Sequence, residues 1–283
     1  MHLATIVTRG GEYPVLVDNH RGVVEISSLR PDFDGTAMSV IQDGLFGTLR
    51  ELASEAEDDL FVPMDDVSFT APYRFPRKIW GIGLNYSDHA ADLSESAPDQ
   101  PASFVKCDHT IIGPDDQIVL PKQSQRVTAE AELGLVIGKT CENVSEQEAL
   151  DYVWGVTTIL DQTAEDILRL NPRYLTRSKN FPTFFCFGPE LVPIEEVLER
   201  FGNLENIEIS TVKNGSEFRT NSVSNMTHKP ASLVSFHSQM MPLYAGDIIS
   251  TGTPGALVVT DGDVMECRIE GVGNLLTTVR RGF

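Results

Sequence analysis

One short run of residues constrains this chain more than any other: an acidic pair opens a stretch of branched apolar residues. Glu130 and Glu132 stand two positions apart, and the next residues are Leu-Gly-Leu-Val-Ile. Such a run predicts a β-strand, in which alternate side chains share a face, so both glutamates point the same way. At a rise of about 3.3 Å per residue, their Cα atoms lie about 6.6 Å apart.

Two carboxylates this close repel each other unless a positive charge lies between them, and a divalent metal ion would supply that charge. The alternative is a pair of solvated glutamates on an edge strand, which these residues alone do not exclude. The spacing therefore raises a metal site as a hypothesis without deciding it.

The composition limits the classes of protein that this chain can represent. A length of 283 residues, 41% of them hydrophobic and 22% charged, is typical of a globular protein with one large domain or two unequal ones. A formal net charge of −19 argues against a surface that follows nucleic-acid phosphates. No apolar stretch is long enough to span a membrane, and Met1–Arg9 lacks the pattern of a secretory signal.

The four cysteines are scattered along the chain and form no zinc-like cluster; they are Cys107, Cys141, Cys186 and Cys267. We expect buried free thiols in a reducing compartment. Together with the start of the chain, this predicts a cytoplasmic protein.

Two domains of unequal size are predicted, a small N-terminal α/β domain over residues 1–72 and a larger domain over residues 73–283. The first begins with a predicted hairpin of two strands, Leu3–Val7 and Tyr13–Asp18, around a pair of glycines. Helix-like spacing follows over Ala37–Glu57. Several prolines then indicate an extended connector between the two domains.

The larger domain alternates short branched-apolar runs with Gly and Pro turns, the pattern of a β-rich fold. The predicted strands are Ile79–Gly83, Ile118–Leu120, Leu133–Ile137, Trp154–Leu160, Ile207–Val212, Asp247–Thr251 and Val264–Ile269. Two helices are predicted, over Ser145–Asp151, which opens with a capping box, and over Ser232–Met240. The sequence therefore predicts a β-rich α+β fold with long connections between strands.

From Lys78 to the C-terminus, several motifs follow one another in the order found in one family. They are Gly81–Tyr86 with His89, Ser103–Lys106, Glu130 with Glu132 and Val136–Lys139, Asp161, Ser178–Phe181 with Phe187–Pro189, Asn214–Gly215, and Gly246–Pro254. In this order they resemble the fumarylacetoacetate hydrolase superfamily, in particular its 2-hydroxyhepta-2,4-diene-1,7-dioate isomerase and acylpyruvase-like members. The resemblance implies a mixed β-sandwich roll as the catalytic domain, preceded by a small N-terminal domain.

The resemblance further implies that Glu130, Glu132 and Asp161 ligate Mg²⁺ or Mn²⁺. The chemistry of these residues agrees, because three carboxylates without a nearby cysteine or paired histidine suit a hard, oxygen-seeking ion. Taken alone, Asp161 would fit equally well as the cap of a helix that starts just after it.

The remaining site residues are also implied by the resemblance. His89 would activate water as a general base, oriented by Asp92, where relatives often carry glutamate. Lys179 would bind the carboxylate or enolate of the substrate and is counted among the catalytic residues. Thr253 lies in a turn where glycine lets backbone amides approach an anion closely. Lys106 would either be structural or flank the substrate pocket.

Three departures from the family pattern concern the substrate pocket. Glu165 stands where many relatives carry arginine, Pro182 stands where they often carry aspartate, and the insert after Thr-Gly-Thr-Pro is shortened to residues 255–258. The metal set is intact. We therefore expect the core chemistry of the family on an unusual substrate.

The leading hypothesis for the reaction is metal-dependent hydrolysis of a C–C bond in a β-diketo acid, of the acylpyruvate or fumarylpyruvate type, through a metal-stabilised enolate. Decarboxylation of an oxaloacetate-like 2-oxo acid, isomerisation, and dehydration of 2-keto-3-deoxy acids remain alternatives, as does a non-catalytic metabolite-binding protein. The resemblance implies a homodimer that binds a small 2-oxo acid and neither nucleic acid nor membrane. Phe184, Phe185 and Phe187 would lie either at the dimer interface or in the core.

Overall fold

The computed structural model describes residues 1–87 and 98–282. The strands of this part of the chain are β1 (His2–Thr8), β2 (Gly11–Asp18), β3 (Gly22–Glu25), β4 (Ser68–Phe69), β5 (Ile79–Gly83), β6 (Ala102–Lys106), β7 (Ile111–Ile112), β8 (Gln117–Leu120), β9 (Val127–Ile137), β10 (Val153–Ala164), β11 (Phe185–Phe187), β12 (Glu190–Pro193), β13 (Glu208–Lys213), β14 (Ser216–Ser222), β15 (Ile248–Ser250), β16 (Ala256–Val259), β17 (Val264–Ile269) and β18 (Gly273–Arg281). The α-helices are α1 (Ile26–Leu29), α2 (Ala37–Gln42), α3 (Phe46–Glu55), α4 (Glu165–Leu170), α5 (Leu175–Lys179), α6 (Ile194–Phe201) and α7 (Pro230–Met240). The β-rich α+β class predicted from the sequence is confirmed.

The strands form two sheets. The larger sheet runs in the order β3-β2-β1-β12-β10-β9-β15-β5-β6, with four short strands paired at its sides. The smaller sheet runs in the order β14-β13-β17-β18-β8. Both sheets mix parallel and antiparallel pairs, since β5 and β15 run parallel, as do β8 and β18.

The two long central strands, β9 and β10, pair antiparallel along nearly their whole length. β9 is covered on its other edge by β15 and β16, so neither of its edges is open. Every residue of β9 is buried. Long strands buried on both faces read as continuous apolar runs, which explains why branched residues dominate here.

The smaller sheet packs against one face of β9 and β10, and the other face carries the acidic residues at one end and part of a second apolar core at the other. The core between the two sheets includes Leu133 and Leu135 from β9 together with Ile209, Met265 and Leu275. Alternation along the strands then sends Glu130 and Glu132 away from this core. The sandwich therefore fixes the direction in which the acidic pair points.

The predicted N-terminal hairpin is confirmed as β1 and β2, and its strand β1 joins the larger sheet by pairing with β12. Leu3 and Leu16 share a core with Val136 and Ile159 of the central strands. The division of the chain at residue 72 stays a prediction. What the structure adds is that the first strands extend the sheet of the larger part.

Two helix predictions need correction. The single helix expected over Ala37–Glu57 is two helices, α2 and α3, because Gly44 adopts a left-handed φ of 65° between them. The helix expected over Ser145–Asp151 is a 3₁₀ helix at Ala149–Tyr152. The Ser145 amide donates to Oε2 of Glu148 at 3.4 Å, one of the two bonds of a capping box, but the Glu148 amide donates to the Ser145 carbonyl at 3.2 Å rather than to its hydroxyl. The helix expected over Ser232–Met240 is confirmed as α7.

The remaining composition-based expectations can be placed on the fold. All four cysteines are free, and three are buried as expected, but Cys107 is exposed. Phe184, Phe185 and Phe187 are fully buried, so they belong to the core rather than to an interface. None of the helices in the described part of the chain is long and apolar enough to cross a bilayer.

Candidate metal and catalytic centre

The register of the two central strands brings three carboxylates together. Glu130 lies directly opposite Asp161, and Glu132 lies opposite Ile159, one pair further along the same face. One ligand oxygen from each of the three carboxylates can be chosen so that all lie within 4.8 Å of one another. All three side chains are buried, with exposures of 8%, 2% and 1% for Glu130, Glu132 and Asp161. The solvated edge-strand interpretation of the glutamates therefore does not hold.

Asp161 lies inside β10, and the helix after it begins only at Glu165, with Ala164 at its N-cap. The helix-cap interpretation of Asp161 is wrong for this reason. Asp161 stays in the strand because β9 pairs with β10 beyond it, as far as Ala164. Its carboxylate therefore belongs to the acidic cluster and does not cap a helix.

Hydroxyl groups and one backbone amide fix one oxygen of each glutamate. Thr128 and Thr163 both donate to Oε1 of Glu130, at 3.2 and 2.9 Å. The amide of Gly252 donates to Oε2 of Glu132 at 2.9 Å, and the Ser250 hydroxyl donates to the same oxygen. Such contacts orient ligating carboxylates before an ion arrives.

Two lysines extend into the same cluster from different elements. Lys106 at the end of β6 donates to Oδ1 of Asp161 and to the carbonyl of Gln162, the latter at 3.2 Å. Lys179 at the end of α5 donates to Oδ2 of Asp161 at 2.5 Å and to Oε2 of Glu130 at 3.0 Å. The Lys179 ammonium also lies 4.8 Å from the centre of the Phe104 ring. The structure thus places Lys106 in the acidic cluster, a question that the sequence left open.

The charges in this cluster shift the pKa values of its members. Burial raises the pKa of Glu132 to about 8, and the charges of Asp161 and Glu130 add to this shift. Burial lowers the pKa of Lys106 to about 8, and the neighbouring Lys179 ammonium contributes. Burial alone would lower the pKa of Lys179, but the three carboxylates raise it above its ordinary value.

A hard divalent cation fits this donor set. Three carboxylates and two ammonium groups, all ionised, leave one negative charge in a buried site, which a divalent ion would convert into one positive charge. Mg²⁺ binds oxygen at about 2.1 Å, so two oxygens on opposite sides of it lie about 4.2 Å apart, close to the observed spread. The oxygen-only chemistry of Glu130, Glu132 and Asp161 suits Mg²⁺ or Mn²⁺ better than softer metals.

The other predicted site residues are placed differently. Thr253 is buried in the turn after β15, where its hydroxyl and the backbone of Gly255 contact each other at 3.2 Å. The Gly252 amide in this turn does bind an anion, but that anion is the carboxylate of Glu132. His89 and Asp92 lie outside the described residues.

Sequence reasoning gave no role to several residues that line the centre. Thr128 shares the face of the two glutamates by its period of two, and Thr163 likewise follows Asp161. The Tyr86 hydroxyl is buried without a hydrogen-bond partner among the described residues. Burial and the charge of Glu132 raise the pKa of Tyr86 above its ordinary value. Ser250 carried no signal, because its contact with Glu132 spans 118 positions.

The departure at Glu165 is compensated locally. Its buried carboxylate accepts hydrogen bonds from Arg126 and, one helical turn on, from Arg169. Neither arginine contacts the acidic cluster, so the negative charge of Glu165 is balanced by these two arginines and not by the groups of the cluster. Pro182 lies in the short connection between α5 and β11.

Comparison with known proteins places this arrangement in a family. The sequence model described as the C-terminal domain of fumarylacetoacetate (FAA) hydrolase matches residues 78–280. A mitochondrial oxaloacetate tautomerase of Homo sapiens is 32% identical over 273 residues, which cover 92% of this chain and 85% of the relative.

Two solved structures resemble the whole chain, each with 100% of both chains covered. One is maleylpyruvate hydrolase from Sphingobium sp. SYK-6 in complex with manganese (II) ion and pyruvate, with a TM-score of 0.83 and 27% identity. The other is 5-carboxymethyl-2-hydroxymuconate delta-isomerase from Mycobacterium smegmatis, with a TM-score of 0.78 and 29% identity. These matches confirm the resemblance inferred from the motifs.

Proposed function

Since the chain belongs to the fumarylacetoacetate hydrolase family, we propose that it is a divalent-metal-dependent enzyme that acts on 2-oxo acids through an enolate. The reaction proposed first is hydrolysis of a C–C bond in an acylpyruvate. The observation that carries the proposal is the buried cluster of three carboxylates and two ammonium groups on β9, β10, β6 and α5. Burying charged groups in this way costs desolvation free energy, and such clusters are typical of functional sites.

Glu130, Glu132 and Asp161 would hold the metal, which we propose to be Mg²⁺ or Mn²⁺. When bound, the metal supplies a Lewis acid that stabilises negative charge developing on the 2-oxo oxygen of the substrate. The manganese ion in the maleylpyruvate hydrolase structure supports this choice of ion. The threonine, serine and glycine donors hold the glutamates in place so that little reorganisation is needed on binding.

The two lysines give the chain its own groups for anion binding. Lys179 and Lys106 keep positive charge next to the carboxylates, where a bound 2-oxo acid would place its carboxylate and its enolate oxygen. Phe104 covers one side of the Lys179 ammonium and limits its contact with water. Thr253 would line the substrate site beside these lysines. It lies in the turn in which the Gly252 amide donates to Glu132.

Hydrolysis also needs a group that takes a proton from water, and we assign this role to His89, oriented by Asp92. The oxygen of that water attacks the distal carbonyl carbon. The carbon–carbon bond then breaks, the distal part leaves as a carboxylic acid, and the pyruvate part leaves as an enolate that takes up a proton. The similarity to maleylpyruvate hydrolase over the full length supports hydrolysis.

A second candidate is keto–enol tautomerisation of a dicarboxylic 2-oxo acid such as oxaloacetate. The 32% identity to an oxaloacetate tautomerase across 92% of this chain favours it. This reaction needs the enolate-stabilising groups but no attacking water. Pyruvate release therefore separates the two candidates: cleavage of the carbon–carbon bond of an acylpyruvate releases pyruvate, and tautomerisation, which only moves a proton between oxygen and carbon, does not.

The test is to offer acetylpyruvate and enol-oxaloacetate in parallel to metal-stripped protein, with and without Mg²⁺. Pyruvate release and the decay of enol absorbance are followed separately. We expect Mg²⁺-dependent pyruvate release from acetylpyruvate. This release is lost in Asp161→Asn and in His89→Ala and is retained in the exposed control His20→Ala. Mg²⁺-dependent enol decay by the wild-type protein, without pyruvate release from acetylpyruvate, would replace hydrolysis by tautomerisation. Activity of the wild-type protein on neither substrate would contradict both candidates.

The oligomeric state and the location in the cell are part of the same proposal. We propose a cytoplasmic homodimer, as the family resemblance implies. Light scattering on the purified protein, whose chain mass is 31.2 kDa, would contradict this if it gave the mass of one chain.

A further inference from the structure

Lys106 and Lys179 reach the acidic cluster from two different elements, and the side chain of Asn180 ties these elements together. Lys106 is the last residue of β6, which ends the order of the larger sheet on its side. Lys179 is the last residue of α5, and Asn180 follows it directly. The position of each ammonium therefore depends on how α5 is held against β6.

The side-chain amide of Asn180 forms hydrogen bonds with the backbone on both sides of Lys106, at the end of β6. Its Oδ1 accepts from the Cys107 amide at 2.7 Å, and its Nδ2 donates to the Val105 carbonyl at 3.2 Å. A residue on a neighbouring parallel strand would make this pair of bonds opposite Lys106. The side chain thus replaces one step of a ladder at an edge where, among the described residues, no further strand pairs.

The same amide reaches back into the helix, and the backbone of Asn180 is fixed as well. Nδ2 donates to the Thr176 carbonyl of α5 at 3.0 Å. The Asn180 carbonyl lies 2.9 Å from Nε2 of His109, which must be the donor because a carbonyl oxygen only accepts. A helix cap would need only the Thr176 contact. The two bonds to β6 go beyond capping and join the helix to the strand.

The link that Asn180 makes between α5 and β6 affects the acidic cluster, because both lysines contact Asp161. One oxygen of Asp161 accepts from Lys106 and the other from Lys179, so both contacts depend on β6 and α5 staying fixed against each other. We propose that Asn180 is a positioning residue that holds both ammonium groups on Asp161 by fixing α5 against β6. The part that concerns catalysis rests on the proposed function, whereas the part that concerns the two lysines does not.

The first test measures the accessibility of the lysines in metal-free protein, by the rate of acylation of each lysine followed by mass spectrometry. Asn180→Ala is expected to accelerate acylation of Lys106 and Lys179 together, by about 10-fold or more. Asn180→Asp keeps the acceptor for Cys107 and loses the donor to Val105 and Thr176, so a smaller acceleration is expected. This second variant also serves if the alanine variant does not fold.

The matched control is Asn171→Ala, in the same segment. Asn171 accepts from the Arg173 amide at 2.9 Å and caps a short 3₁₀ helix, and within the part of the chain that the structure describes its side chain makes no hydrogen bond to β6. Lys78, which pairs with the fully buried Asp247 at 2.7 Å, reports general loosening of the fold. Unchanged acylation of Lys106 and Lys179 in Asn180→Ala would overturn the proposal, as would an equal acceleration at Lys78.

The catalytic part is tested with the Mg²⁺-loaded enzyme and acetylpyruvate. Displacement of positioned groups is expected to lower kcat about 10- to 100-fold in Asn180→Ala, with a smaller change in KM. An unchanged kcat together with accelerated acylation would overturn the catalytic part alone. If the wild-type enzyme turned over neither substrate, the proposed function would fail, while the acylation result would still decide the role of Asn180.

Discussion

Glu132 and Asp161 lie in one buried cluster but differ in the charge of the groups that donate to them. Both oxygens of Asp161 accept from ammonium groups, so its negative charge is balanced directly. Glu132 accepts from the neutral Ser250 hydroxyl and Gly252 amide. Burial therefore penalises charge on Glu132 and raises its pKa to about 8. A metal ion at the cluster would remove this penalty.

The raised pKa of Glu132 predicts a specific pH dependence. The folded-state pKa of about 8 exceeds the ordinary value of 4.5, so the folded protein binds this proton more tightly. Without metal, stability is greatest below the ordinary value and is lost as the pH rises towards 8. We expect Glu132→Gln to remove on the order of 2 kcal/mol of this loss between pH 5 and pH 8.

Denaturant unfolding of both metal-free proteins at pH 5, 6, 7 and 8 measures this difference. Lys106, whose pKa is lowered to about 8 by burial, begins to change the slope as the pH approaches that value, so the points from pH 5 to pH 7 carry the comparison. The expected result is a wild-type curve that falls more steeply than the variant curve. Parallel curves would show that Glu132 ionises normally in the folded protein. Calorimetric titration with Mn²⁺ is expected to detect binding by the wild type and none by the variant.

How far the sequence predicts the site at the level of single residues depends on separation along the chain. The alternation of Glu130 and Glu132 correctly predicted a shared face, because that property is local. The contact of Ser250 with Glu132 and that of Lys106 with Asp161 were not predictable in this way. They depend on which strands become neighbours, which no local pattern contains.

Among the elements, one histidine adds side-chain contacts from the first strand to a neighbouring strand and a helix. Nδ1 of His2 on β1 lies 2.5 Å from Glu190 of β12, and its Nε2 lies 2.8 Å from Glu196 of α6. Burial alone would lower the pKa of His2, but the two carboxylates raise it above 6.5. The doubly protonated ring can donate to both glutamates, and the neutral ring only to one.

His2→Ala is therefore expected to destabilise the protein more at pH 6 than at pH 9. The raised pKa means that the stabilisation is complete below about 6.5 and is lost as the pH rises through the folded-state value. We expect a loss of about 1–2 kcal/mol at pH 6, discounted because Glu196 is partly exposed, and a smaller loss at pH 9. Denaturant unfolding at both pH values, with His20→Ala as the exposed control, measures it. Equal losses at both pH values would indicate that His2 contributes only by packing.

The elements also show where local patterns fail. Ser145 and Glu148 make only one of the two side-chain-to-backbone bonds of a capping box, and no α-helix follows. The chain there is bonded to α7 instead: the Asn143 amide donates to the Ser238 carbonyl at 2.9 Å, and the Val144 amide donates to the Ser238 hydroxyl at 3.1 Å. Tertiary bonds thus override a local helix signal. Strands were predicted better because β-branched runs coincide with buried positions.

At the scale of the whole molecule, the site exists because the larger sheet curls. β6 is four strands away from β10, which in a flat sheet would place them about 19 Å apart. Lys106 of β6 nevertheless contacts Asp161 of β10. The sheet must therefore roll so that its edge returns over the carboxylates. The family resemblance implied a roll, but the residues alone gave no way to predict which lysines it would bring to the acidic pair.

We propose that this rolled sheet holds a metal that stabilises an enolate. Hydrogen exchange at C3 of pyruvate tests this proposal, because the enolate forms when C3 loses a proton. Pyruvate is incubated in D₂O with metal-stripped protein, with and without Mg²⁺, and the loss of the methyl proton signal is followed by NMR. We expect exchange that requires both Mg²⁺ and wild-type protein and is absent in Glu132→Gln. Exchange at the same rate without Mg²⁺, or no exchange by wild-type protein with metal bound, would contradict it.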